Sequence, residues 1–181
     1  MDEASQLEDQ FLRRQLQKRH LAAVWAGLAG LTAGMTALDV GSGRFVLAAE
    51  YAAIVGEAGR VYALEPRYAP EMPIGNLVHL AQDARAPFEL EVAPDVIFCT
   101  DTLHHAAEPL ALLRNLHNVA GPHTMLLVTE YDPAQPGLVG AKPHRRMARE
   151  DTAALLAAAG FEAGGPFATA DEHYAILAKA R

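Results

Sequence analysis

The sequence predicts an α/β domain: a doubly wound, mostly parallel sheet with an antiparallel C-terminal strand and helices on both faces. Three observations carry that reading. Short apolar runs alternate with helix-length segments along most of the chain, the pattern of βαβ units. The first run, Ala37-Leu38-Asp39-Val40, ends in Gly41-Ser42-Gly43 and leads into an alanine-rich segment. A glycine turn between a strand and a helix N-terminus is where Rossmann-like sheets receive nucleotide-type ligands. Finally, Glu65 closes the second run 22 residues after Gly43, against the roughly 20 expected of a carboxylate that grips a ribose.

Taken in order, residues 3 to about 29 read as helix. Leu7, Phe11, Leu12, Leu16, Leu21, Val24 and Leu28 recur on roughly one helical face. Residues 1–30 are thus an N-terminal helical arm to a single domain spanning 1–181. Arg13, Arg14, Lys18, Arg19 and His20 lie between the apolar positions and read as a solvated face, the alternative being a contact to a phosphate or an anionic substrate. After Gly34-Met35, the residues Ala37, Leu38 and Val40 suit a strand covered on both sides. Gly41 and Gly43, having no Cβ, let the backbone turn sharply and approach a ligand closely. Val46 to Val55 is the helix that follows, broken by Gly56-Glu57-Ala58-Gly59. Val61-Tyr62-Ala63-Leu64 is the second strand, and Pro66 ends it with Glu65 held extended at the tip. Arg67 to Met72 reads as a short, proline-interrupted helix.

The third strand, Leu77 to Ala81, leads to Gln82-Asp83-Ala84-Arg85. The fourth, Asp95 to Cys99, ends in Thr100-Asp101-Thr102 and then Leu103-His104-His105. Polar residues past strand ends fall in the crevice where open α/β sheets bind ligands. Pro109 opens a helix through Val119, since proline suits a first turn, and Gly121-Pro122 stops it. The fifth strand, Thr124 to Glu130, is followed by a glycine- and proline-rich loop, Asp132 to Pro143. Asp151 to Ala159 is the last helix, stopped by Gly160. Phe161-Glu162-Ala163 and Tyr174 to Ala178 then form a closing antiparallel pair.

Composition narrows the function. A formal charge of −7 argues against a general nucleic-acid binder. Cys99 is the single cysteine, which leaves no disulfide framework and no paired-cysteine metal site; its apolar run makes it a small core residue. No apolar run reaches the roughly 18 residues of a membrane span, and the acidic, polar start is unlike a signal peptide. A cytoplasmic protein is expected. A homodimer paired through the N-terminal arm is compatible with the sequence.

Several pieces, in order, resemble the class I S-adenosylmethionine-dependent methyltransferases. They are Leu38 through Gly43, Val55 through Glu65, Gln82-Asp83-Ala84, Asp95 through Phe98, Leu103-His104-His105 with Pro109, and Arg146 through Phe161. Together they cover about residues 30 to 180 and look most like small-molecule enzymes of the ubiquinone/menaquinone-biosynthesis group. The resemblance implies S-adenosyl-L-methionine as cofactor and a small-molecule methyl acceptor as partner. No metal is expected, because the adjacent His104 and His105 beside Asp101 would seldom point the same way and no second histidine pair sits at ligand spacing. The resemblance also implies roles. Gly41, Ser42 and Gly43 would pass beneath the methionyl part, with Asp39 holding the turn or the ammonium group. Glu65, with Pro66 behind it, would accept the ribose hydroxyls, and Asp83 and the Ala84 backbone would bind adenine. Thr100 and Asp101 would line the path to the methyl donor. Two departures stand out: Arg44-Phe45 follows the glycine turn where relatives carry Pro-Gly or a third glycine, and Gly121-Pro122-His123 replaces a Pro-Gly-Gly turn. The cysteines of the arsenite enzymes are missing, which excludes that acceptor.

His104 is the candidate general base, because it follows the fourth strand and should face the crevice. Tyr131, His144, Arg145 and Arg146 lie in or beside the long loop that should shape the acceptor pocket. Two other classes compete. A nicotinamide-dependent oxidoreductase would use Glu65, but Val46 stands where its third glycine should fall. A non-catalytic module that binds S-adenosylmethionine would share the whole pattern.

Overall fold

The structure, a computed structural model, describes residues 3–138, 140–165, 167–169 and 171–181. Its elements are α1 (Glu3–Gln17), α2 (Leu21–Ala29), β1 (Thr36–Val40), α3 (Val46–Val55), β2 (Arg60–Leu64), β3 (Leu77–Leu80) and β4 (Val96–Thr100). There follow α4 (Pro109–Val119), β5 (Met125–Tyr131), α5 (Arg149–Ala158), β6 (Phe161–Ala163), β7 (Phe167–Ala168) and β8 (His173–Ala180). The strands form one sheet in the order β3-β2-β1-β4-β5-β8-β6, with β7 paired to β8 off that path. The first five strands run parallel; β8 is antiparallel to β5, β6 and β7. This is the doubly wound, Rossmann-like sheet with an antiparallel C-terminal strand.

Strand alternation sorts the core onto two faces. Leu38, Val40, Tyr62, Leu64, Ile97, Cys99, Leu126 and Val128 point toward α4 and α5, where Leu112, Leu113, Leu116 and Leu156 close over them. Ala37, Val61, Ala63, Val96, Phe98 and Leu127 point toward α2 and α3, against Trp25, Ala48, Tyr51 and Ala52. Tyr51 stacks on Phe98 with ring centroids 4.0 Å apart, a pairing worth about 0.5–1.5 kcal/mol beyond the area it buries. Cys99 lies in this core, and burial raises its thiol well above the ordinary range.

Two elements differ from the sequence expectation. Arg67 to Met72 is irregular. Pro66, Pro70 and Pro73 deny it the amide donors a helix needs, and the Arg67 N–H is taken by Glu65 Oε1 at 2.7 Å. The N-terminal arm is two helices joined by a turn at Lys18-Arg19-His20. The turn lets α2 bury Leu21, Ala22, Trp25 and Ala26 against α3 and the sheet, while α1 lies over the glycine turn after β1.

The sheet order puts β1 between β2 and β4, so the chain winds outward in both directions from the β1/β4 boundary. Such a switch point leaves a crevice at the C-terminal strand ends. Asp39 to Gly43 and Thr100 to Thr102 are the residues that reach it.

Candidate functional site

The crevice floor is β1 and its turn. Gly41 and Gly43 have φ of 71° and 56°, the left-handed region that suits glycine. A Cβ on Gly41 would stand 2.7 Å from Thr102 Oγ1, which itself donates to the Val40 carbonyl at 3.0 Å. Phe45, at the start of α3, is also left-handed, with φ of 62°. A bulky residue held there costs on the order of 1–3 kcal/mol, strain that clusters at ligand sites.

Asp39 is 2% exposed, and its Oδ2 has no hydrogen-bond partner among the described residues. Burial pushes this carboxyl up to about 6; the Ser42 hydroxyl and the Lys18 ammonium offset part of the effect. The site therefore holds an acid out of water with one carboxylate oxygen unpartnered among the described residues, a costly arrangement that a further cation would relieve.

Glu65, also 2% exposed, is tied across the turn. Its Oε2 accepts the Gly43 N–H at 2.9 Å, and Arg67 Nε lies 3.6 Å from Oε1. Pro66 stands directly behind it. Asp83 lies farther out, its carboxyl lowered by hydrogen bonds from Arg85. Ala84 is buried and its carbonyl accepts Asn115 Nδ2 at 2.9 Å. Asp83, Arg85, Ala86, Ala107 and Glu108 line a shallow pocket of about 370 Å³.

The opposite wall is built from β4, β5 and β8. Thr100 is buried with its hydroxyl unpartnered among the described residues. Asp101 is left-handed, with φ of 49°, and accepts from Lys18 Nζ and from His173 Nε2 at 3.0 Å. Burial works against its charge, but Lys18 and His173 outweigh burial and hold the carboxyl well below its usual range. His104 sits in a 3-10 turn, Leu103–His105, with its Nδ1 2.6 Å from Glu130 Oε2. Glu130 is fully buried, and its Oε1 accepts the Leu103 N–H at 2.7 Å. Burial resists protonation of His104, yet the Glu130 carboxylate raises the imidazole above its ordinary value. His105, its ring 3.9 Å away, is lowered to about 4 by burial and by the charges of His104 and Arg145. Tyr131 is buried, its ring 4.1 Å from that of His173 and 5.1 Å from the Arg146 guanidinium. Arg146 is buried as well, pairing with Glu172 at 2.7 Å, whereas His144 and Arg145 precede it in an exposed turn.

Three participants were not legible as such in the sequence. Glu130 read only as the last residue of a strand, although a charge at the end of a buried parallel strand was a usable signal. Lys18 belonged to a face expected to be solvated; instead its side chain is 16% exposed and locked onto Asp101. His173 carried no local signal.

A family model described as a methyltransferase domain matches residues 9–179. The chain belongs to this methyltransferase family. No curated protein is similar enough in sequence to count as a relative. Among solved structures, a SAM-dependent methyltransferase from Aquifex aeolicus is 23% identical, with a TM-score of 0.77 over 88% of this chain and 89% of its own. The O-methyltransferase NcsB1 from neocarzinostatin biosynthesis, in complex with S-adenosyl-L-homocysteine and 1,4-dihydroxy-2-naphthoic acid, is 16% identical with a TM-score of 0.67. The alignment covers 92% of this chain but only 56% of NcsB1. The [4+2]-cyclase SpnF is 18% identical with a TM-score of 0.70, over 90% of this chain and 80% of its own. At these identities the likeness is one of fold, and the cyclase shows that the fold alone does not dictate the reaction.

S-adenosylmethionine, the methyl donor of the family, fits the residues present on two counts. The left-handed Gly41 and Gly43 carry bare backbone along the crevice floor, and the buried Asp39 carboxylate, with one oxygen unpartnered among the described residues, suits a ligand carrying a sulfonium and an ammonium.

Proposed function

We propose that the chain transfers the methyl group of S-adenosylmethionine to an acidic O–H or N–H group of a small molecule, with His104 as general base. The observation behind this reading is the His104–Glu130 pair, its side chains buried at the mouth of the crevice, with one ring nitrogen committed and the other without a hydrogen-bond partner among the described residues. Asp39 and the Gly41 to Gly43 turn would hold the methionyl end, Glu65 the ribose, and Asp83 with Ala84 the adenine. When bound, the cofactor supplies a methyl group on a positively charged sulfur, a centre open to direct displacement. The chain's own work is to place an acceptor in line with that methyl group and to keep water out. Thr100 and Asp101 line that approach, and Tyr131 closes it from the β5 side.

With Glu130 ionised, the His104 Nδ1–H is donated to it and Nε2 presents its lone pair. Nε2 takes the acceptor's proton as the new bond to carbon forms, and Glu130 stabilises the resulting imidazolium. A general base of this kind contributes about 10²- to 10⁴-fold. The test is release of S-adenosylhomocysteine across a panel of phenols, catechols, carboxylic acids and amines, by wild type and His104→Gln. Turnover on an acidic hydroxyl that falls at least a hundredfold in the variant supports the reading. Turnover unaffected by the substitution removes His104 from the chemistry, and tight cofactor binding without turnover on any acceptor favours a binding module. The reading also takes the protein to act in the cytoplasm; among the described residues no helix is long and apolar enough to cross a membrane.

A further inference from the structure

The glycine turn is already engaged, by a side chain of α1. Gln15 Oε1 accepts the Arg44 N–H at 2.7 Å, and Gln15 Nε2 donates to the Ser42 carbonyl at 3.3 Å. A Cβ on Gly43 would stand 2.9 Å from both Gln15 Cδ and Phe11 Cζ, so the space above the turn is filled by α1. The Gly43 N–H is likewise taken, by Glu65. Just past the end of α1, at the first residue of the turn that follows it, Lys18 is paired with Asp101 and is near enough to Asp39 to lower its carboxyl. A primary amide thus sits on the turn's polar backbone, and an ammonium serves the two acids of the crevice.

These are the contacts a methionyl group would make. Its ammonium and sulfonium would serve the same two acids that Lys18 serves, and its polar end would meet the backbone atoms that Gln15 now meets. Two cations do not share one such site without repulsion, and the Gln15 amide cannot share its volume. We propose that α1 is a gate on the cofactor site: Gln15 and Lys18 stand in for the methionyl end, and the cofactor binds by displacing them as α1 lifts. α1 is built to lift. Leu16 is half-exposed and lines an open surface pocket beside Glu50, Ala53 and Ile54 of α3, and Phe11 stacks on Tyr68 at 5.8 Å, where Tyr68 belongs to the irregular segment after β2. The turn at Lys18-Arg19-His20 separates α1 from the buried α2, so movement of one leaves the core packing of the other intact.

This gate rests on the cofactor reading above, and one experiment separates the two. Calorimetric titration with S-adenosylhomocysteine would compare wild type with Gln15→Ala. The substitution lies on a partly exposed helix and introduces the best helix former, so the fold is retained; a single cooperative thermal transition checks this. Loss of the competing amide should tighten binding by about five- to tenfold, the effect of one or two neutral hydrogen bonds. Association, followed through Trp25, the single tryptophan, should show a rate that levels off with ligand concentration in wild type and a higher plateau in the variant. Unchanged or weaker binding by Gln15→Ala would overturn the gate while leaving the cofactor assignment standing, because wild type would still bind. No binding by either protein would overturn both.

Discussion

Asp39 carries the sharpest consequence at the scale of single residues. Its folded value of about 6 lies above the 3.8 of an ordinary aspartate. An acid shifted in this direction costs nothing below about pH 4, where it is protonated in both states; the cost grows between about 4 and 6 and is complete above 6. Asp39→Asn should therefore raise stability at pH 8 by roughly 1–3 kcal/mol, read by urea unfolding, and should bring no gain at pH 4. The same variant should lose cofactor binding, the cost of preorganising a charge for a ligand. His104 and Glu130 make a second test. Because Glu130 raises His104, the base form of wild type is lost as pH falls through that raised value. Glu130→Gln should lower kcat and move the acidic limb of the rate profile to lower pH. A purely structural Glu130 would lower activity without moving the limb.

Among the elements, the turn and the helices answer differently to the same change. Gly41→Ala puts a Cβ against Thr102 at a φ of 71° and should destabilise by at least about 1 kcal/mol. Gly27→Ala, in the exposed middle of α2 with nothing within 4 Å, should stabilise by up to about 1 kcal/mol. Thermal unfolding of the two variants reads both signs. This contrast also explains what the sequence could convey. The bounds of α3 and α4 were legible because glycine and proline punctuate them, and β1 and β2 because buried parallel strands are mostly apolar runs, broken in β1 by Asp39 alone after its first residue. Arg67 to Met72 misled because helix-compatible side chains were outweighed by proline backbone chemistry. The two-residue β7 escaped because so short a run has no period to detect.

The whole molecule brings together what local pattern cannot. Lys18 meets Asp101 across 83 positions, His173 meets it across 72, and His104 meets Glu130 across 26. Topology alone creates these contacts. The residues proposed for the cofactor could be picked out in the sequence because each stands at or just past the end of an apolar run: Asp39 to Gly43 at the first, Glu65 after the second and Asp83 after the third. The cluster of Lys18, Asp101, His104, Glu130 and His173 could not, because β5, β8, the turn after α1 and the segment after β4 each contribute only one or two residues to it. Both groups converge on the switch between β1 and β4, and that crevice is the place to test. The measurement to make first is a thermal-shift titration with S-adenosylmethionine, S-adenosylhomocysteine and NAD, on wild type and Glu65→Ala. A ligand at 100 times its dissociation constant stabilises by about 2.7 kcal/mol. Stabilisation of wild type by both adenosyl compounds and not by NAD, lost in Glu65→Ala, is the expected result. Stabilisation by NAD alone, or adenosyl binding that Glu65→Ala leaves intact, would contradict the assignment of this crevice.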